Sequence, residues 1–399
     1  MTPETDMQTI PYATQSINDD DLRAVQDVLT SGWLTQGPAG PRFEHAFAKR
    51  HGVAHAVGVA NATAGLHIAC LALGAGPGTT VWTSPNSFVA SANCALYCGA
   101  DVDFVDIDPV TRNMSVPALA AKLEWADREG RLPSIVIPVH FSGLACDLVP
   151  MRTLADRYGF RLLEDASHAV GASYEGQPIG SRYADASVFS FHPVKIITTG
   201  EGGIVTTQDP ALARRLQLLR SHGITRVAGE MVREDPLPDP WYYEQSTLGF
   251  NYRLTDIQSA LGWSQLQRLD GFHAARERLA DRYDRLLAGL PLKLPARAPS
   301  ATATARSSWH LYVIEVLPRD GAASRATVFK RLWDANIAVN VHYIPIHTQP
   351  FYRARGFRPG QFQAAEAYYA GAISIPLFPT LTDAQQDYVV AELKKALVA

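Results

Sequence analysis

Residues 55–74, HAVGVANATAGLHIACLALG, change character twice within one short stretch. HAVGVA (55–60) reads as a strand of small and branched apolar residues. Asn61-Ala62-Thr63-Ala64-Gly65 is a turn. LHIACLALG (66–74) then carries the apolar pattern of a helix. The same unit recurs outward to about residue 222. TVWT (80–83) precedes a helix over FVASANCALYCG (88–99). DVDFVDID (101–108) precedes one over SVPALAAKLEWADREG (115–130), with Ser115 as the expected N-cap. SIVIPVHF (134–141) leads to a helix near VPMRTLADRYG (149–159). RLLEDA (161–166), ASVFSFH (186–192) and GIVTTQ (203–208) are further strand-like runs. DPALARRLQLLRSHG (209–223) closes the series as a helix begun at Asp209-Pro210.

Such alternation predicts an α/β fold with a mostly parallel central sheet covered by helices. Ligands of these sheets bind beyond the C-terminal ends of the strands, so the residues after each apolar run are the candidates for chemistry. Residues 226–245, RVAGEMVREDPLPDPWYYEQ, interrupt the pattern with three prolines and mixed charge, as functional or disordered loops do. A long helical stretch is expected over roughly 254–290. PARAPSATATARSS (295–308) reads as an exposed connection. HLYVIEVL (310–317), a helix near 324–336 and IAVNVHY (337–343) predict a smaller α+β C-terminal domain. The expected division is an N-terminal arm (1–16), a large domain (17–270) and a small domain (271–399).

Composition bounds the function. The chain has 399 residues, 47% hydrophobic and 19% charged, with a net charge of −3. That is ordinary for a globular enzyme and argues against a broad basic surface for nucleic acid. No uncharged apolar run is long enough for a membrane span. The polar, acidic start MTPETDMQTIPYATQSI lacks the pattern of a secretory signal. Cys70, Cys94, Cys98 and Cys146 form no Cys-x-x-Cys pair, and Cys94 and Cys98 share one apolar helical face. A reduced, cytoplasmic protein is expected. No metal site is expected, because no H-x-x-x-H pattern falls on an expected helix and no cysteine is spaced as a zinc partner.

Lys195 lies in SVFSFHPVKIITTGEGG (187–203), flanked by Val194, Ile196 and Ile197. Burial lowers a lysine pKa and favours the free amine that Schiff-base chemistry needs. The alternative is a lysine snorkelling from a strand end. Asp165 ends RLLED, where a carboxylate can pair with a protonated pyridine nitrogen; a structural ion pair is the other possibility. The turn 61–65 offers small residues, a helix N-terminus and the Thr63 hydroxyl to an anion, although no dinucleotide fingerprint is present. Ser190 stands near a strand end as a second hydroxyl, or as a core serine. Phe88 can stack on a flat ring, or simply pack in the core. Anion cup, aromatic, carboxylate, serine and lysine follow one another along one predicted sheet, and the combination points to a cofactor with a phosphate and a flat ring.

GWLTQGP (32–38), NATAG (61–65), EDASHA (164–169), SFHPVKIITTGEGG (190–203), RSHGI (220–224) and GFNYRLTDIQSALG (249–262) together resemble the nucleotide-sugar aminotransferases of the DegT/DnrJ/StrS group. The resemblance runs from Tyr12 to about Tyr352. It implies the fold type I of pyridoxal-phosphate (PLP)-dependent transferases, with the large domain binding PLP. It implies that Lys195 carries PLP as a Schiff base, that Asp165 pairs with the ring nitrogen and that His168 sits near the ring. Ala62, Thr63 and Ser190 would hold the phosphate, and Phe88 would cover the ring. Asn251 would reach the cofactor phosphate of the neighbouring subunit, so a homodimer with a shared active site is implied. Pyridoxamine 5'-phosphate is the implied intermediate form. Relatives often carry Asn-Ser or Gly-Ser where this chain has Ala60-Asn61, which leaves the part played by the Asn61 side chain open.

WYYEQSTLGFNYRLTDIQ (241–258) and VHYIPIHTQPFYR (341–353) resemble the branch that aminates a 4-keto-6-deoxy UDP-N-acetyl sugar in pseudaminic acid synthesis, with L-glutamate as donor. That narrower resemblance places Tyr12, Gly32, Trp33, Leu34, Thr35, Asn251, Arg253, Val341, His342, Tyr343 and Ile344 around the sugar nucleotide. Other keto sugars, dTDP-linked or 3-keto, remain an alternative within the class. A related sugar dehydratase would carry histidine in place of Lys195. A non-catalytic regulatory protein would not need Lys195, Asp165, Thr63 and Ser190 intact.

Overall fold

The computed structural model describes residues 9–232, 239–318 and 323–398. Residues 1–8 of the expected arm and 233–238 of the 226–245 segment lie outside the described residues. The first sheet strands are His55–Val59 (β1), Thr80–Thr83 (β2), Asp101–Phe104 (β3), Ile135–Ile137 (β4) and Arg161–Asp165 (β5). A small hairpin of Ser173–Tyr174 (β6) and Gln177–Pro178 (β7) intervenes before Ala186–Ser190 (β8) and Gly203–Thr207 (β9). The central sheet is seven-stranded in the order β1-β9-β8-β5-β4-β2-β3. All its neighbours run parallel except β9, which is antiparallel to both β1 and β8. The sheet is therefore mostly parallel, as the alternation predicts.

Both faces are covered, so the central strands carry apolar residues toward both. Val136, Leu162, Phe189 and Ile204 point into one core, with Phe43, Phe47 and Trp82. Their chain neighbours Ile137, Leu163, Val188 and Val205 point into the other, with Leu66, Ile68 and Leu216. Full burial of each such side chain contributes roughly 1.5–3 kcal/mol. Caps set the helix starts. The Ser115 side chain accepts from Ala118 N, and Asp209 accepts from Ala211 N ahead of Pro210. Thr255 and Gln258 form a capping box.

Several boundaries differ from the sequence reading. The stretch 254–290 is two helices, Asp256–Gln267 and Leu269–Leu287, broken at Arg268. The second begins in the large core with Leu269 and Phe272 and ends in a separate core with Leu279, Tyr283 and Leu287. That core lies under a three-stranded antiparallel sheet of Leu292–Lys293, Tyr312–Val316 and Ala372–Ile375. IAVNVHY is not a strand. It makes only isolated bridges, Ile337 to Ile10 and Asn340 to Ser374, because Ala372–Ile375 takes the place beside Tyr312–Val316. Ile337 and Val339 pack in that same core, and Asn340–Tyr343 line a large cavity. Among the described residues, no helix is long and apolar enough to cross a membrane.

Two histidines hold this scaffold while uncharged. His51 stacks on Phe47 at 3.9 Å and shares its Nδ1 proton with Phe47 O at 3.0 Å, while its Nε2 is buried without a partner. His273 Nε2 lies 2.9 Å from Val170 O and pins the turn that carries His168. Burial depresses both pKa values to about 4. Unfolded histidine titrates near 6.5, so the unfolded chain takes up protons first as pH falls. Stability is therefore full above about pH 6.5 and declines toward pH 4, by roughly 3 kcal/mol for each of these residues. Urea unfolding at pH 7.5 and pH 4.5 should show a much lower midpoint in acid. Equal midpoints would mean that these rings are not buried neutral.

Candidate active site

Asp165 ends β5 and is buried. Its Oδ1 accepts from Ser167 N at 3.1 Å and its Oδ2 from Ser91 Oγ at 2.6 Å. No arginine or lysine pairs with it by direct contact among the described residues, which sets aside the structural ion pair. The carboxylate lines a cavity of about 890 Å³ at the C-terminal ends of the strands, together with Lys195.

The cup across from it is the start of the Ala62–Ala72 helix. Asn61 Oδ1 accepts from Ala64 N at 2.8 Å, so the Asn61 side chain is a helix cap. The N–H groups of Ala62 and Thr63 precede the first intrahelical bond and remain free for an anion. Thr63 and Ser190, at the end of β8, line the same cavity. Close approach of this helix to β9 depends on Gly203, where a Cβ would lie 2.8 Å from Ala62 N and 2.8 Å from Phe189 O. The GEGG run thus serves the cup sterically.

Lys195 sits in the turn after β8, its N–H bonded to His192 O at 2.9 Å. Ile196 and Ile197 beside it are core residues. Burial brings the Lys195 amine down to about 8, against the opposing pull of Asp165. Its neutral form is therefore far more accessible near physiological pH than that of an exposed lysine. His168 packs at the cavity wall with its Nε2 3.1 Å from Tyr343 Oη and its ring 4.4 Å from that of His310. Burial, then Lys195, holds His168 well below the ordinary histidine pKa. Ser308 Oγ donates to His168 O and fixes that turn. His342 binds Ser374 Oγ at 2.7 Å and is pushed down to about 3, by burial first and Lys195 second.

The cavity gathers Tyr12, Ala62, Thr63, Phe88, Asp165, His168, Ser190, Lys195, Val341, His342 and Tyr343. It does not gather Gly32, Trp33, Leu34, Thr35, Asn251, Arg253 or Ile344 within one chain. Trp33, Leu34 and Ile344 are exposed at 57%, 49% and 47%. Arg253 instead lines a smaller cleft with Glu44 and Arg220. Sequence reading missed Ser87, Ser91, His310 and Asn340. Ser87 and Ser91 are four residues apart, a helical spacing, but serines in SPNSFVASAN look like ordinary core or loop hydroxyls. His310 opens a strand-like run and carries no local signal.

A cup of backbone N–H groups and hydroxyls, a buried carboxylate and a lysine of lowered pKa are the donor set that PLP requires, and the cavity is large enough for it. The model for the DegT/DnrJ/EryC1/StrS aminotransferase family matches residues 15–394. The chain is 36% identical over 387 residues to the spore coat polysaccharide biosynthesis protein SpsC of Bacillus subtilis, covering 96% of each. Its structure resembles Helicobacter pylori PseC, an aminotransferase involved in the biosynthesis of pseudoaminic acid. That match has a TM-score of 0.88 and 30% identity, and it covers 98% of this chain and 99% of that one. It also resembles the putative sugar aminotransferase Spr1654 of Streptococcus pneumoniae in its PMP form, with a TM-score of 0.87, 29% identity and coverage of 97% and 98%. The PLP form of Spr1654 matches as well.

Proposed function

Because this chain belongs to the DegT/DnrJ/EryC1/StrS aminotransferase family, whose members here are PLP-dependent sugar aminotransferases, we propose that it aminates a 4-keto-6-deoxy UDP-N-acetyl sugar. L-Glutamate is the donor. The product is UDP-4-amino-4,6-dideoxy-N-acetyl-β-L-altrosamine, which feeds pseudaminic acid biosynthesis. The likeness to PseC over nearly the whole of both chains carries the substrate assignment.

Lys195 would hold PLP covalently, Asp165 would face its ring nitrogen, and Ala62, Thr63 and Ser190 would hold its phosphate. Phe88 would cover the ring and His168 would pack near it. Bound PLP supplies a conjugated ring that accepts the electron pair left when the donor's α C–H bond breaks. Lys195 Nζ, whose neutral form is accessible because burial brings its pKa to about 8, takes that proton and delivers it again within the site. The same amine serves the return direction, so one residue acts as base and then as acid. Asp165 stays fixed throughout, its oxygens held by Ser167 N and Ser91 Oγ.

Among the described residues that line the cavity, Lys195 is the only lysine or arginine. One cation is few for a cofactor phosphate, a nucleotide diphosphate and a dicarboxylic amino acid. This supports a homodimer in which Asn251 and Arg253 and the loop Gly32–Thr35 of one copy complete the site of the other. In that arrangement Tyr12 and Val341–Tyr343 meet the sugar nucleotide from the same chain, with Ile344 at its outer edge.

A second reading is another keto sugar nucleotide; the chain is also 36% identical to SpsC, named for spore coat polysaccharide biosynthesis and not for pseudaminic acid. Incubation with L-glutamate and a panel of UDP- and dTDP-linked 3-keto and 4-keto sugars separates the two. The UDP-N-acetyl 4-keto sugar should be preferred in kcat/KM by roughly a hundredfold, the discrimination typical of a shaped polar pocket. Preference for a dTDP-linked or 3-keto sugar would select the second reading.

A further inference from the structure

The Asp165 carboxylate is the end of a chain of hydroxyls. Its Oδ2 accepts from Ser91 Oγ at 2.6 Å, and Ser91 Oγ lies 2.7 Å from Ser87 Oγ. An ionised carboxylate only accepts, and each hydroxyl has a single proton. The Ser91 proton therefore goes to Asp165, and the Ser87 proton goes to Ser91. Both serines are buried. Ser91 stands in the first turn of the Ala90–Tyr97 helix, beside the core residues Ala92, Cys94 and Ala95. The loop before it is itself anchored: Asn86 donates to Arg112 O at 3.2 Å and accepts from Tyr343 N at 3.3 Å.

We propose that Ser91, backed by Ser87, is a positioning residue for transamination that aims the Asp165 carboxylate at the cofactor ring nitrogen. The proposal rests on the reading of Asp165 given above. Ser167 N holds Oδ1 from the carboxylate's own turn. Ser91 holds Oδ2 from a different helix. With both oxygens held, the carboxylate cannot rotate, and its remaining lone pairs are left for the cavity side. A serine that merely filled space in an apolar helix would not need its hydroxyl aimed at the buried carboxylate of the site.

The test is a double-mutant cycle on Ser91→Ala and Asp165→Asn, read by the affinity of the apo protein for PLP and by the pH midpoint of the bound cofactor's visible absorbance. Ser91→Ala alone should weaken PLP binding and lower kcat by about tenfold, the usual effect of a hydrogen bond to a charged group. The sugar KM should stay within about twofold, and the pH midpoint of the band should move by about half a unit or more. In the Asp165→Asn background Ser91→Ala should add almost nothing, because its target has lost its charge. Ser87→Ala should act in the same direction with a smaller effect, about threefold, and it decides the matter if Ser91→Ala fails to fold. Equal losses from Ser91→Ala in both backgrounds would overturn the proposal, since a packing role is additive. So would a Ser87→Ala protein with unchanged band and affinity. If Asp165→Asn itself keeps full activity, the reading of Asp165 fails; if Asp165→Asn is impaired and Ser91→Ala is not, only the Ser91 proposal fails.

Discussion

Replacing Lys195 with alanine should abolish transamination, lowering kcat by on the order of 10⁴-fold or more, the scale set by losing both covalent attachment and the positioned base. The fold should survive. The Lys195 side chain opens to the cavity, and its amine is already disfavoured by burial, which brings it to about 8. Removing a desolvated amine costs little or nothing, so the thermal midpoint of Lys195→Ala should match or exceed that of the parent. The parent amine has its own pH signature. Reconstitution of the apo protein with PLP should accelerate as pH rises through about 8, because the neutral amine is the reactive form. Stopped-flow absorbance measures that rate. A rate flat from pH 6.5 to 9 would mean that Lys195 is not the amine that reacts.

Asp165→Ala is the second large effect. It should cost on the order of a hundredfold to a thousandfold in kcat, the range for one preorganised charge at a reacting centre. It should also cost stability, unlike the lysine variant, because Ser91 Oγ and Ser167 N lose their acceptor. Asp165→Asn keeps the shape and most of the stability but loses the charge. Comparable kcat losses in the two variants, with the stability loss confined to Ala, would separate the electrostatic role from the structural one. Full activity in Asp165→Asn would show that no charge is needed there.

How much of this was legible before folding depends on the residue. β5, β8 and β9 announce themselves as apolar runs, and Asp165, Ser190 and Lys195 stand at or just past the ends of β5 and β8. The strand-end rule therefore picks out three residues that line the cavity. Strand direction is not encoded in a two-residue period, so the antiparallel run of β9 was invisible. IAVNVHY carries the branched residues of a strand, yet Ala372–Ile375 occupies the sheet position. Pairing is a contest between segments, and a single segment read alone does not show the winner. Ser91 lies 74 residues from Asp165 in the chain, and only the folded sheet brings them together. Gly32–Thr35 and Asn251 lie away from their own chain's cavity, and no strand-end position marks them.

Which lysine carries the cofactor is the deciding question for this protein. Borohydride reduction of the PLP-loaded protein, followed by proteolysis and mass spectrometry, reads this directly. The cofactor mass should appear on the peptide containing Lys195 and be absent in Lys195→Ala. Stable labelling at another lysine, or none in a protein that transaminates, would contradict it.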